Sequence, residues 1–234
     1  MTFIFDAKRW LIVSPHADDA ELGCGGVIAA GREKGINIHI AVASVKSENH
    51  LYRDVLTTSE VREQELIESM NFSGCSYSIF YKTDSSNEFD LASSSKSAFI
   101  KKLDSLIVDF SPQVLFIPVP SFHQEHKWVY DCCMAASRPY KITKENVIIL
   151  AYEYPPAGWG DSASWDSSKG AIYVDISNYI DRKIEMLTLY KSQIRSDNSS
   201  LSLKAVKTLS MYRGMQCNTD HAELFYLLRC VCKV

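Results

Sequence analysis

Short apolar runs alternate along the chain with segments whose apolar residues recur at helical spacing. Runs with the length of a β-strand occupy residues 9–14, 36–44, 77–81, 114–119, 147–152 and 171–176. Several of them are apolar at both odd and even positions, which is typical of strands buried on both faces of a parallel sheet. The pattern therefore predicts a sheet whose strands are mostly parallel.

Two amphipathic segments predict helices between these strands. The segment 58–72 has apolar residues at helical spacing, with Thr57 and Glu60 placed for a capping box and Gly74 as its stop. A second apolar stripe runs from residue 99 to residue 110. Because strands that alternate with helices are joined by right-handed crossovers, the helices cover both faces of the sheet. We predict the α/β class, as a Rossmann-like three-layer α/β/α sandwich with a mostly parallel sheet.

Length and charge limit the organisation and the partners of the chain. Its 234 residues suffice for one substantial core, and we expect a single domain over residues 1–234. The last third, residues 176–234, is expected to pack as an appendage of helices and strands on the main sheet. The net charge of −3 and the lack of a Lys/Arg block argue against a nucleic-acid partner.

The N-terminal residues and the cysteines indicate the compartment. Residues 1–9 contain neither a signal-peptide core nor a membrane span, so we expect a cytoplasmic protein. The seven cysteines are odd in number and do not have the spacing of a zinc ribbon or of a redox motif. We therefore expect free thiols. The sequence does not determine the oligomeric state, and a homo-oligomer is compatible with it.

The stretch SPHADDAELGCGG, residues 14–26, follows the first predicted strand. In an open α/β sheet, ligands bind in the crevice beyond the carboxyl ends of the strands. A nucleotide-binding turn is one interpretation of the glycines. Their spacing is not that of a dinucleotide-binding motif, and two adjacent carboxylates would repel the phosphates.

A metal site is the second interpretation of this stretch. His16 and Asp19 are suitable ligands for a divalent ion when a third can be found. His123 and His126 follow the strand 114–119, so they also lie at a carboxyl end. Histidines that merely satisfy local hydrogen bonds, and aspartates that only cap the following helix, are the structural alternatives. Capping does not explain His126.

Both histidine-containing stretches resemble the signatures of a known enzyme family. Residues 16–21 are similar to the His-Pro-Asp-Asp-Glu signature of the PIG-L/LmbE family of zinc-dependent N-acetylglucosamine deacetylases, and residues 123–126 to its His-Pro-Asp-His signature. Weaker matches lie at Arg62 with Glu65, and at 191–193, 213–214 and 222–225. The resemblance thus extends over most of the chain.

The resemblance implies a role for each matching residue. His16, Asp19 and His126 correspond to the metal ligands, Asp18 to the general base, and His123 to the residue that polarises the carbonyl. Three such ligands leave an open coordination position, where the pKa of a bound water falls to about 7. Asp18 could then take the proton of that water and return it to the leaving amine, while His123 stabilises the oxyanion.

The comparison with the family also gives one candidate substrate-binding residue and three positions at which this chain differs from the signatures. The resemblance makes Arg62 a candidate for binding sugar or phosphate oxygens, although an ion pair with Glu65 is the structural alternative. Ala17 stands where the family has proline, so the loop loses a fixed φ. Gln124 and Glu125 replace proline and aspartate. If Glu125 orients His123 or His16, its added methylene changes that geometry.

The sequence as a whole predicts a metal-dependent hydrolase. The expected reaction removes the N-acetyl group from a small-molecule amino sugar of the N-acetylglucosamine type or from its conjugate. We expect Zn²⁺ as the ion, with Fe²⁺ or another divalent first-row metal as the alternative. Two other functions are compatible with the same residues: hydrolysis of another acyl amide on a sugar or thiol conjugate, and non-catalytic binding of a sugar or nucleotide.

Overall fold

The computed structural model describes residues 4–50, 55–84, 90–139, 147–158 and 170–231. Its strands are β1 (Arg9–Ser14), β2 (Asn37–Lys46), β3 (Glu48–His50), β4 (Val55–Thr57), β5 (Ser76–Thr83), β6 (Val114–Pro118), β7 (Ile148–Tyr152), β8 (Gly170–Asp175) and β9 (Ala222–Arg229). Seven of them form one sheet in the order β5-β2-β1-β6-β7-β9-β8, and β3 pairs with β4 in a separate antiparallel hairpin. The strands β1, β2, β5, β6 and β7 are parallel to one another.

Within the described ranges, six α-helices connect and cover these strands. They are α1 (Asp19–Glu33), α2 (Ser59–Ser73), α3 (Lys96–Phe110), α4 (Gln124–Ala136), α5 (Ile180–Thr188) and α6 (Leu203–Cys217). The hydroxyl that caps α2 belongs to Thr58, which accepts from the backbone N–H of Val61, and not to Thr57 as predicted. Thr57 is instead the last residue of β4. The predicted stop is confirmed, because Gly74 adopts a left-handed φ of 71°. No helix in the described part of the chain is long and apolar enough to cross a bilayer.

Two hydrophobic clusters, one on each face of the sheet, confirm the three-layer prediction. On β1, Trp10 and Ile12 belong to the cluster that includes residues of α1 and α5. Leu11 and Val13 belong to the other cluster, which includes residues of α3 and α4. Alternate residues of a strand point to opposite faces, so a strand with helices on both sides must be apolar at every position. All four of these side chains are fully buried.

The last third of the chain extends the main sheet and does not form an appendage. β9 lies between β7 and β8 and runs antiparallel to both of them. Phe225 of β9 is fully buried and packs edge to face on Phe116 of β6, with 5.3 Å between the ring centroids. This burial of a large aromatic side chain is a physical reason for β9 to join the sheet.

The glycines after the first motif allow α1 to pack closely against the core. A Cβ atom at Gly23 would lie 2.2 Å from Cδ2 of Tyr152, and one at Gly26 would lie 2.5 Å from Cγ2 of Ile176. Real Cβ atoms do not approach other atoms so closely, so larger residues would push the helix away. The glycines therefore place α1, and the residues at its N-terminus, close to the end of β7.

Candidate active site

The residues of both motifs meet at the carboxyl ends of two neighbouring strands. β1 and β6 pair directly and in parallel. His16, Asp18 and Asp19 follow β1, and Asp19 is the first residue of α1. His123 is the N-cap residue of α4, which follows β6, and His126 lies in the first turn of that helix. The strand order therefore brings together residues from distant parts of the chain.

His16, Asp19 and His126 form a compact cluster of possible metal ligands. Oδ2 of Asp19 lies 3.1 Å from Nδ1 of His16 and 3.2 Å from Nε2 of His126. One ligand atom from each residue lies within 4.8 Å of the other two. Two imidazole nitrogens and one carboxylate oxygen are a suitable donor set for a divalent ion such as zinc. The three residues thus fit the ion that the motifs imply.

Glu125 lies behind this cluster and binds His16, not His123. Its Oε2 accepts from Nε2 of His16 at 2.6 Å, while its Oε1 accepts from Nζ of Lys46 at 2.9 Å and from the backbone N–H of Leu91 at 3.0 Å. His16, His123 and Glu125 form a second group that could hold an ion. Lys46 and the backbone N–H of Leu91, which are not possible ligands of this group, already bind Glu125, whereas the side chains that contact Asp19 are the two other possible ligands themselves. The group with Asp19 is therefore the better candidate.

The charges of the cluster shift its pKa values in opposite directions. Burial lowers the pKa of His16, but hydrogen bonds and charge from Asp19 and Glu125 outweigh it and raise the pKa to about 9. For Asp19, burial raises the pKa, and the charge of His126 with hydrogen bonds from both histidines brings it well below its ordinary value. In the metal-free cluster the protonated ring of His16 therefore lies between two ionised carboxylates, those of Asp19 and Glu125.

Asp18 is buried beside the cluster and is only 6% exposed. It occupies the N-cap position of α1, but its side chain makes no capping hydrogen bond. Instead, Oγ of Ser14 accepts from the backbone N–H of Ala20 at 3.0 Å. Burial and then the neighbouring charge of Asp19 raise the pKa of Asp18, and the positive charge of Arg62 partly offsets them. The capping alternative for Asp18 is therefore wrong.

His123 faces the same cavity as the cluster. Its ring centroid lies 5.1 Å from that of His16 and 5.0 Å from that of His126. Burial, followed by repulsion from these two histidines, lowers the pKa of His123 to about 4. The ring is thus neutral near pH 7 and can donate a hydrogen bond through one nitrogen.

A cavity of about 200 Å³ opens above these residues. Its lining is His16, Asp18, Asp19, Lys46, Glu48, Arg62, Phe122, His123, Glu125, His126, Tyr154, Pro156, Gln193, Arg195 and Leu201. Arg62 is only 3% exposed, and its Nη1 donates to the backbone oxygen of Lys46 at 3.3 Å and to Oε2 of Glu48 at 3.4 Å. Its predicted alternative partner, Glu65, accepts instead from the backbone N–H and the hydroxyl of Ser192, at 2.7 and 2.6 Å.

The motif residues lie within a segment that matches a known family. Residues 11–137, more than half of the chain, match the family model PIG-L, which is described as GlcNAc-PI de-N-acetylase. The chain belongs to the PIG-L family. The resemblance found in the sequence is thereby confirmed. A search of curated proteins found no match to this PIG-L protein.

Solved structures share the fold of this PIG-L protein over nearly its whole length. The conserved protein TT1542 from Thermus thermophilus is 24% identical, with 96% of each chain covered and a TM-score of 0.72. The N,N'-diacetylchitobiose deacetylase from Pyrococcus horikoshii is 17% identical, with 96% of this chain and 85% of that chain covered and a TM-score of 0.75. The 4-carboxy-2-hydroxymuconate hydratase GalB from Pseudomonas putida is 18% identical, with 97% and 99% covered and a TM-score of 0.72. At these identities the likeness establishes the fold, and the hydratase indicates that the fold alone does not determine the reaction.

Lys46 and Tyr154 are among the residues of this PIG-L site that the sequence analysis missed. Lys46 is the last residue of β2 and binds Glu125, and Tyr154 follows β7 and stacks on His126. Both lie at carboxyl ends of parallel strands, which is the signal that identified His16 and His123. A search of every strand end, and not only of those followed by histidine, would have found them.

Proposed function

We propose that this PIG-L protein is a metal-dependent deacetylase. Its substrate is a sugar of the N-acetylglucosamine type or a conjugate of such a sugar. The observation that carries the proposal is the position of Asp19, whose Oδ2 lies between Nδ1 of His16 and Nε2 of His126, with Asp18 in the same cavity. The description of the family as a de-N-acetylase of GlcNAc-PI supports this choice of reaction.

The proposed metal ligands are His16, Asp19 and His126. Zinc is the expected ion, and Fe²⁺ or another divalent first-row metal accepts the same donor set. When bound, such an ion supplies Lewis acidity, which polarises an amide carbonyl and makes water a nucleophile near neutral pH. Glu125 orients the ring of His16 through the hydrogen bond at Nε2, so that Nδ1 faces Asp19.

Asp18 is the proposed general base and general acid. Its carboxylate takes a proton from the attacking water as the water oxygen bonds to the acetyl carbon. It returns that proton to the sugar nitrogen as the carbon–nitrogen bond breaks, which releases acetate and a free amine. Burial raises the pKa of Asp18 towards the range in which a carboxylate can accept and donate a proton near neutral pH.

His123 and Arg62 are proposed to act on the substrate directly. The neutral ring of His123 donates a hydrogen bond to the acetyl oxygen, and this bond strengthens as negative charge develops there. Arg62 is almost fully buried, and its Nε has no hydrogen-bond partner among the described residues. Its guanidinium lines the cavity and is suited to bind oxygen atoms of the sugar or of a phosphate.

Metal analysis combined with acetate release tests this function. Purified protein is stripped with a chelator and reloaded with Zn²⁺ or Fe²⁺. Acetate is then measured from several N-acetyl sugars, and amine release from larger acyl amides. We expect about one ion per chain and acetate release that the chelator abolishes. Faster cleavage of the larger amides would replace the substrate class, whereas a protein that holds no ion and ignores the chelator would be a binding module.

A further inference from the structure

Two imidazoles of the site, those of His123 and His126, lack within the described ranges the hydrogen bond that usually orients such rings. Histidines at metal sites normally bond through their second nitrogen to a carboxylate, a backbone carbonyl or water, which fixes the orientation of the ring. Among the described residues, the buried Nδ1 atoms of His123 and His126 have no hydrogen-bond partner. His16, in contrast, is held by Glu125. Some other contact must therefore hold the remaining two rings.

Tyr154 contacts the ring of His126 directly and is linked to the backbone of His123 indirectly. Its ring stacks on the ring of His126, with 4.6 Å between centroids and 28° between planes. Its hydroxyl lies 3.0 Å from Oγ of Ser121, and the same Oγ accepts from the backbone N–H of His123 at 3.3 Å. Tyr154 thus contacts one histidine by stacking and is linked to the other through Ser121.

Tyr154 is itself held firmly in this position. It is only 5% exposed and directly follows Glu153. The carboxylate of Glu153 forms a bidentate pair with Arg213, with Nε–Oε1 at 2.6 Å and Nη2–Oε2 at 2.7 Å. Such forked pairs fix geometry as well as supplying energy.

We propose that Tyr154 is a positioning residue for both histidines. Its ring holds His126 in the orientation in which Nε2 faces Asp19, and its hydroxyl, through Ser121, holds the backbone of His123 at the start of α4. This inference rests on the proposed function, in which His126 binds the ion and His123 contacts the substrate. The two halves of the role are separable, because the ring and the hydroxyl act on different histidines.

Three variants separate these two halves. Tyr154→Leu removes the ring, Tyr154→Phe removes only the hydroxyl, and Ser121→Ala removes the other partner of the same hydrogen bond. Tyr77→Leu is the control, because Tyr77 is a tyrosine that is 37% exposed and does not line the cavity. Metal affinity is measured by competition with a chromophoric chelator, kcat and KM by acetate release, and the order of the His126 ring by NMR of the metal-free protein.

We expect the ring to control metal binding and the hydroxyl to control turnover. Tyr154→Leu should weaken metal binding by about 10- to 100-fold and give His126 more than one ring environment, as for the loss of other contacts that orient a ligand. Tyr154→Phe should leave affinity unchanged and lower kcat by about two- to tenfold at constant KM, the effect of one hydrogen bond. Ser121→Ala should have the same effect, and the double variant no more than either.

Two outcomes would overturn the proposal. The first is that Tyr154→Leu keeps the metal affinity and the ring order of the wild-type protein. The second is that the losses of kcat in Tyr154→Phe and Ser121→Ala add up in the double variant. The NMR measurement needs neither metal nor turnover. It therefore judges the stacking contact even when the wild-type protein releases no acetate, a result that would count against the proposed function and not against the role of Tyr154.

Discussion

Glu125 and His16 are joined by a hydrogen bond of 2.6 Å between Oε2 and Nε2, although they lie 109 residues apart in the chain. The other ring nitrogen, Nδ1, lies 3.1 Å from Oδ2 of Asp19. A carboxylate at Nε2 keeps the proton on that nitrogen when the ring is neutral, so Nδ1 has a free lone pair. Glu125 therefore determines which nitrogen of His16 is available as a ligand.

Removal of the charge of Glu125 should weaken metal binding. In Glu125→Gln the length of the side chain is kept, but Lys46 loses its ion pair and His16 its charged acceptor. We expect the metal affinity to fall by about 10- to 100-fold. Glu63→Gln is a matched control, because Glu63 pairs with Lys82 at the surface. Equal affinities of the two variants in a chelator competition would contradict this role.

Metal binding should release a proton near neutral pH. The pKa of His16 is raised to about 9 in the metal-free protein, so its ring is charged at pH 7, whereas a ligand must be neutral. We expect the affinity to rise by about tenfold per pH unit below pH 9 and to level off above it, because only below that pKa is a proton displaced. Calorimetric titrations in two buffers with different ionisation enthalpies count the protons. No release at pH 7 would show that His16 is not a ligand or is not charged.

Asp18→Asn and His126→Ala should separate catalysis from metal binding. The amide of the first variant cannot accept a proton, so turnover should fall by about 10²- to 10⁴-fold while the metal content stays at the wild-type level. The second variant lacks a ligand and should lose both. Metal analysis and acetate release are measured on the same samples. Full deacetylation by Asp18→Asn would make the assignment of the base wrong.

His123→Ala should lower kcat without removing the ion. The loss of one donor to the developing oxyanion costs about 3 kcal/mol, or about 10²-fold in kcat. Because the pKa of His123 is lowered to about 4, the ring is neutral over the working range. The pH–rate profile of the wild-type protein should therefore show no titration of this residue above about pH 5. A variant with wild-type kcat would exclude His123 from the reaction.

Gly23→Ala should destabilise the protein, because the new methyl group would meet Cδ2 of Tyr152 at 2.2 Å. Overpacking of this kind lowers the free energy of unfolding by about 1–3 kcal/mol. Gly170→Ala is the control, since a Cβ there would meet only Cβ of Leu227 at 3.9 Å. The two variants are compared by their midpoints of unfolding in urea. If the two unfold at the same midpoint, the close packing of α1 against β7 is not required.

The strands and the cluster of ligands could be predicted because they depend on local patterns. Each predicted strand exists, and the residues that follow β1 and β6 lie together, because neighbouring parallel strands end at the same edge of the sheet. The position of β9 was not predicted. Its antiparallel insertion beside β7 depends on long-range packing of Phe225, which no local period reveals.

The sequence by itself determined the fold class, the family and the residue types at the strand ends, since periodicity and short motifs are local properties of the chain. Only the tertiary structure decided which partner each side chain has. Glu125 could have oriented either His123 or His16, and the structure places it on His16. Lys46 and Tyr154 have no motif of their own and enter the site through the order of the strands. That order depends on how the whole core packs, and so the distances that control chemistry are set by contacts between residues far apart in the chain.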